Sequence, residues 1–339
     1  SEISMSASFV YLSYMQAAVY DALVAIEGGF SPYAYTGPVN PAASREAAVA
    51  AAAYKILEHY LPAKAPAAIY QNALEAIPNG PAKDAGIAIG QAAADGIIAL
   101  RANDGLLDLT ETYTVLPPGP GVWEPSRMPD GTVIPPVDPW MATLKPFLRD
   151  LPEQYRPAPP PALDDPAYLA DLAEVRDWGG AMSSLRTPAQ TETANFWATN
   201  MVIQTNQAYR QVSESRGLGL LDTARLMAMG NMAAADSLIA TFDSKYAYSF
   251  WRPVTAIQHT NPDGTYSASP LNSWMPAVMT PSFPEYVTGH GSFVSAQAEV
   301  FTQFFGTPQI EIDLSSLTTG TTRHYAAAAD LRSEIIDAR

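Results

Sequence analysis

Residues 11–30 read YLSYMQAAVYDALVAIEGGF. Leu12, Met15, Val19, Ala22 and Ile26 recur at alternating steps of three and four, which is one apolar helix stripe, and Gly28-Gly29 closes it. The same spacing predicts helices over 43–60, stopped by Pro62, over 65–77, stopped by Pro78, and over 81–102, ended by Asp104-Gly105. No alternating strand pattern stands out in this half. The expected class is all-α, a multi-helix bundle with long Pro-rich and turn-rich loops.

From 114 to 166 the character changes. VLPPGPGVWEPSRMPDGTVIPPVDPW and RPAPPPALDDP are too rich in proline to continue helices. Trp123, Trp140 and Phe147 interleave with the prolines, so a segment packed over the surface is expected rather than a disordered linker. Helices resume over 167–178. In TPAQ, Thr187 can cap, Pro188 suits the first helical position and Gln190 completes a capping box, predicting one helix from there to Tyr209. The next starts after Asp222 and runs toward Lys245 and Arg252. A small hairpin is expected around Asp263-Gly264, then helices over 292–305 and 324–336. The organisation reads as 1–113, an N-terminal helical part; 114–166, a covering segment; and 167–339, a catalytic helical bundle, all in one continuous unit.

Composition excludes several functions. The net charge is −15, which argues against a nucleic-acid partner and an acidic membrane surface. No cysteine occurs, so disulfides, thiolate metal sites and cysteine nucleophiles are ruled out. No run of about 18 apolar residues is evident, so no membrane span is expected. Both ends read as cut, and a secreted or periplasmic address stays open. The aromatics of the Pro-rich segment are compatible with a homodimer.

In so acidic a chain the placement of cations is informative. SKYAYSFWRP, residues 244–253, puts one of five lysines, Lys245, seven positions before Arg252. On a continuous helix the two would share a face about 10 Å apart, with Pro253 ending the helix. Alone, the pair also suits a solvated face near a negative helix end. A second cluster, YVTGHGSF, places His290 between two glycines just before an amphipathic helix. The free N–H groups of that helix, Gly289 and the Thr288 hydroxyl make an anion seat, and His290 can exchange a proton near neutral pH. Taken singly, this too suits a Gly-rich turn and a cap. Together the clusters provide what a tetrahedral oxyanion needs.

These residues resemble the signatures of the vanadium-dependent haloperoxidase and type 2 phosphatidic acid phosphatase superfamily. Lys245, six residues, then Arg252-Pro253 is similar to its first signature, and VTGH, 287–290, to its second, with Val287 and Thr288 where proline and serine are usual. DAR at the end supplies Arg339 of the third, with Ala338 in the serine position; the histidine expected six positions later lies beyond the last residue. AAVYDALVAIEGGFSPY, PGVWEP, RPAPPPAL, RTPAQTETANFW and PSFPEYVTGHGSF resemble the soluble bacterial branch of that family.

The resemblance implies roles. Lys245, Arg252 and Arg339 would neutralise vanadate or phosphate, Lys245 also polarising a bound peroxide. Thr288 and the Gly289 N–H would hold oxygens, and His290 would act as general acid–base. Phe283 and Phe242 would fall in the halide pocket, Phe242 where chloride-oxidising members carry tryptophan. The covalent vanadate ligand would be the histidine beyond the chain end. The expected activity is oxidation of halide by hydrogen peroxide with vanadate as cofactor. Alternatives are a cofactor-free acid phosphatase acting on phosphate esters, or a non-catalytic helical module if the chain ends at Arg339. GLGLLD, 217–222, follows no strand and reads as a helix entry, and His59, His259 and His324 lack ligand-spaced partners.

Overall fold

Ser4 caps the first helix, α1 (Met5–Glu27), whose buried residues face every direction rather than one. Leu12 and Met15 are only partly buried, while Ser13, Tyr14, Gln16 and Asp21 are buried. The single-stripe expectation is therefore corrected. α1 is a central helix, packed on three sides by α2 (Arg45–Tyr60), α4 (Pro81–Arg101) and α8 (Leu220–Tyr248). It is also long and apolar enough to cross a membrane, contrary to the expectation from composition, yet most of it is buried inside the protein. The polar groups it buries are paired: Asp21 accepts the amides of Tyr33, Ala34 and Tyr35 at 2.5, 2.7 and 2.8 Å.

The computed structural model describes residues 3–108, 113–128, 130–148, 152–261 and 263–339. α2 and α4 touch backbone to backbone. A Cβ on Gly86 or Gly90 would lie 2.3 Å from the carbonyl oxygens of Ser44 and Ala48, so only glycine fits there. α3 (Ala67–Glu75) is a short satellite on α2. Trp123, Trp140 and Phe147 of the Pro-rich region are buried, as expected of a packed covering segment.

The second half holds α5 (Pro166–Trp178), α6 (Pro188–Trp197), α7 (Met201–Ser215), α8, α9 (Pro253–His259), α10 (Gly289–Phe305) and α11 (Ala328–Asp337). The capping box forms at Thr187 and Gln190. The single helix expected to Tyr209 is instead two, because Asn200 caps a fresh start by accepting the amides of Val202 and Ile203. A bridge between Thr260 and Tyr266 flanks the expected turn at Asp263-Gly264.

α11 starts at Ala328, not at 324. Ahead of it, β1 (Gln309–Ser315) and β2 (Thr322–Ala327) pair antiparallel, with Asp313 opposite His324. Ile310, Ile312 and Leu314 alternate inward, a strand pattern that the helical reading passed over. His324 has carboxylate partners across this hairpin: its ring nitrogens lie 2.8 Å from Asp313 and 2.9 Å from Glu311.

Candidate active site

The site lies where the C-terminal end of α8 meets the N-terminus of α10. α8 stops at Ser249, which takes the left-handed conformation at φ 47°. The next residues are then clamped into extended backbone. Trp123 N donates to Ser249 O at 2.8 Å, Trp251 N to Gly121 O at 3.0 Å and Glu285 N to Phe250 O at 2.9 Å. The expectation that Lys245 and Arg252 share one helix face is therefore wrong. Lys245 sits in the last turn of α8, whereas Arg252 is the residue that precedes α9, and Pro253 opens α9 rather than only closing α8.

The two cations nevertheless converge, through the 283–285 segment. Lys245, 1% exposed, donates from Nζ to the Pro284 carbonyl at 3.0 Å. Arg252 donates from Nε to the Phe283 carbonyl at 2.7 Å. Both lie over the Phe283 ring, at 5.1 and 4.6 Å from its centroid. Glu285 lies between them, Oε2 2.6 Å from Arg252 Nη1 and Oε1 3.8 Å from Lys245 Nζ. Arg252 Nη2 is buried and has no hydrogen-bond partner among the described residues.

Thr288 caps α10, its Oγ1 accepting from Gly291 N at 3.4 Å, and Gly289 is the first helical residue. A Cβ on Gly289 would meet only Thr241 Cγ2, at 4.0 Å, so the space beside its Cα is open. His290 and Arg339 meet at Trp197, the last residue of α6. Arg339 Nη2 donates to its carbonyl at 3.1 Å, and His290 lies close enough to feel both that main chain and the Arg339 charge. A helix end has spare carbonyls for such donors. Phe242 packs on Phe283 with ring centroids 5.3 Å apart, forming an apolar wall beside the cations.

Mutual repulsion and burial act on every charge here. Burial, reinforced by Arg252 against the pull of Glu285, lowers Lys245 to about 8. Burial and Arg252 lower Arg339 to about 10, again against Glu285, so it stays charged at neutral pH. Burial, then Arg339 and Lys245, lower His290 to about 3, leaving it neutral. Burial alone would raise Glu285, but Arg252 and Lys245 outweigh it and keep the carboxylate ionised. Three cations thus face one carboxylate, a charge excess that a bound anion would relieve.

Every sequence-predicted site residue falls in this neighbourhood: Lys245, Arg252, Phe242 and Phe283 on one side, Thr288 and Gly289 at the helix start, and His290 with Arg339 at Trp197. Sequence reasoning missed two participants. Glu285 is the lone carboxylate in PSFPEYVTGHGSF, a signal that was readable. The Trp197 carbonyl is main chain and leaves no residue-type signature.

The chain is similar in sequence and in fold to known proteins. The family described as the VCPO second helical-bundle domain matches residues 225–333, which include all the sequence-predicted site residues but Arg339. Vanadium chloroperoxidase of Curvularia inaequalis is 25% identical over 178 residues, 44% of this chain and 29% of that protein's length. Among solved structures, a bacterial vanadium-dependent iodoperoxidase superposes with a TM-score of 0.81 at 20% identity, covering 99% of this chain and 85% of the other. The holo form of a bacterial vanadium-dependent chloroperoxidase gives 0.76 at 18% identity, with coverages of 99% and 86%. Residues 225–333 thus match the second helical bundle of vanadium chloroperoxidase, and the chain as a whole has the fold of the vanadium-dependent haloperoxidases.

Proposed function

We propose that the protein is a vanadate-dependent haloperoxidase that oxidises halide with hydrogen peroxide. The carrying observation is the unbalanced cation cluster, with a buried, unpartnered Arg252 Nη2 beside the N-terminus of α10. That donor, the open space at Gly289 and the cation excess fit a tetrahedral oxyanion such as vanadate. Bound vanadate would supply Lewis-acid activation of peroxide toward halide.

The protein's own residues have distinct tasks. Arg252 and Arg339 hold the anion's charge, and the Thr288 hydroxyl and Gly289 N–H offer further donors. Lys245, driven down to about 8, remains mostly protonated at neutral pH and donates to a peroxide oxygen. His290 is neutral and accepts a proton from peroxide, then returns it to the departing oxygen. An anion in the pocket would offset Arg339 and Lys245 and raise His290 toward the range where such transfer is efficient. Phe242 and Phe283 give the halide a largely apolar approach.

Vanadate-loaded full-length protein should brominate a phenolic dye when given bromide and peroxide. No bromination with vanadate demonstrably bound would sink the proposal. A phosphatase would instead turn over a phosphomonoester without vanadium and be inhibited by vanadate; the relatives' chemistry favours the haloperoxidase.

A further inference from the structure

The three cations alone would attract any tetrahedral anion, sulfate included, since the attraction depends on charge and size rather than on identity. Glu285 changes that. We propose that Glu285 is the pocket's specificity-determining acceptor: it takes a hydrogen bond from a protonated oxygen of the bound oxyanion, so vanadate and phosphate are held and sulfate is rejected. The inference rests on the oxyanion-pocket reading above and concerns what that pocket selects.

Three features support the role. First, the carboxylate sits among the groups that would hold the anion, 2.6 Å from Arg252 Nη1 and 3.8 Å from Lys245 Nζ. Arg252 Nη2 stays free beside it, so an anion can take that donor without displacing Glu285. Second, Glu285 has acceptor capacity left. An ionised carboxylate offers about four lone-pair sites. Oε2 serves Arg252, and among the described residues Oε1 has only the Tyr286 amide at 3.3 Å and the distant Lys245. Third, its backbone is fixed by the bond from Glu285 N to Phe250 O at 2.9 Å, while the side chain is 28% exposed and so open to a ligand.

The chemistry separates the ligands. Near neutral pH, vanadate and phosphate keep at least one O–H, which donates to a Glu285 oxygen while their other oxygens accept from the cations. Sulfate carries no proton. One of its oxygens would face the carboxylate acceptor to acceptor, and both would go unpaired. Sites that require a hydrogen bond reject analogues lacking it far more strongly than shape alone allows.

The test is calorimetric titration of full-length protein with orthovanadate, phosphate and sulfate at constant ionic strength, in wild type and in Glu285→Gln and Glu285→Ala. Wild type should bind phosphate at least about 100-fold more tightly than sulfate, and both variants should bring that ratio within about 10-fold, mainly by gaining sulfate affinity. A carboxylate that only positions Arg252 would weaken both anions together and leave the ratio unchanged, which overturns the proposal. Wild type binding both anions equally well overturns it without reference to any variant. If wild type binds none of the three, the oxyanion pocket itself fails, and Glu285's role with it.

Discussion

Among the described residues, the buried ionic clusters around Arg101 and around Lys245 are built to opposite rules. Around Arg101, charge and hydrogen bonding are balanced. Its Nε donates to Asp104 at 2.7 Å, Nη1 to the Pro146 carbonyl at 2.9 Å and Nη2 to the Lys145 carbonyl, while the guanidinium lies 4.2 Å from the Phe147 ring centroid. Asp104 also receives the Tyr14 hydroxyl and the Leu106 amide. Around Lys245 there are three cations, one carboxylate and an unpartnered donor. The saturated cluster leaves no valence for a ligand and joins α1, α4 and the covering segment. The unsaturated cluster is a poor stabilising device, and its excess charge suits the anion-binding role proposed above. Burial of charge alone does not mark a site, whereas buried charge left over does.

The largest effect should come from breaking the balanced cluster. Asp104→Ala strands Arg101 and should cost about 3–5 kcal/mol in denaturant unfolding. The folded fraction should bind oxyanion with unchanged affinity.

The reverse is expected at the pocket. Lys245→Met removes a buried cation held by the Pro284 carbonyl, with a carboxylate only at 3.8 Å. Oxyanion affinity, read by calorimetry, should fall by about 100-fold, while anion-free stability holds or rises. A large loss of anion-free stability would mean that the two clusters are not different in kind.

The same contrast has a pH signature. The folded-state value of Lys245, about 8, lies below its ordinary 10.5. Between those values the unfolded chain binds more protons, so stability rises with pH across that window as the penalty is relieved. The wild-type minus Lys245→Met difference in unfolding free energy should show this limb. His290 follows the same sign lower down: with 6.5 lowered to about 3, stability falls as pH drops through that range, and His290→Gln should flatten the fall.

The smallest effect is expected at Arg156 and Asp243, a bidentate pair at 2.6 and 2.7 Å on the flank of α8. The Arg156 side chain is 35% exposed, so water screens the pair, and Arg156→Ala should cost under about 1 kcal/mol.

Much of this arrangement was written in residue types. The caps and breakers located most helices, and the capping box at Thr187 and Gln190 formed as read. The residue types at Lys245, Arg252 and VTGH pointed to one anion pocket, and the fold brings those residues into one neighbourhood. What failed was geometry that only tertiary partners decide. α8 ends at Ser249 because the 121–123 and 285 segments clamp Phe250, and nothing between 245 and 252 announces that clamp. The hairpin was missed because Ile310, Ile312 and Leu314 make a run too short to outweigh the surrounding helical pattern. Burial on every side of α1 follows from its neighbours rather than from its own periodicity.

The break between α6 and α7 bears on the order in which the molecule is made. Had the chain continued as one helix, the Trp197 carbonyl would have been consumed inside it. Instead it waits for Arg339, 142 residues further along. During synthesis the ribosome delivers α6, α8 and the start of α10 well before that arginine exists. Forming the Arg339–Trp197 contact is therefore a late, long-range event, possible only once almost all of this sequence has emerged.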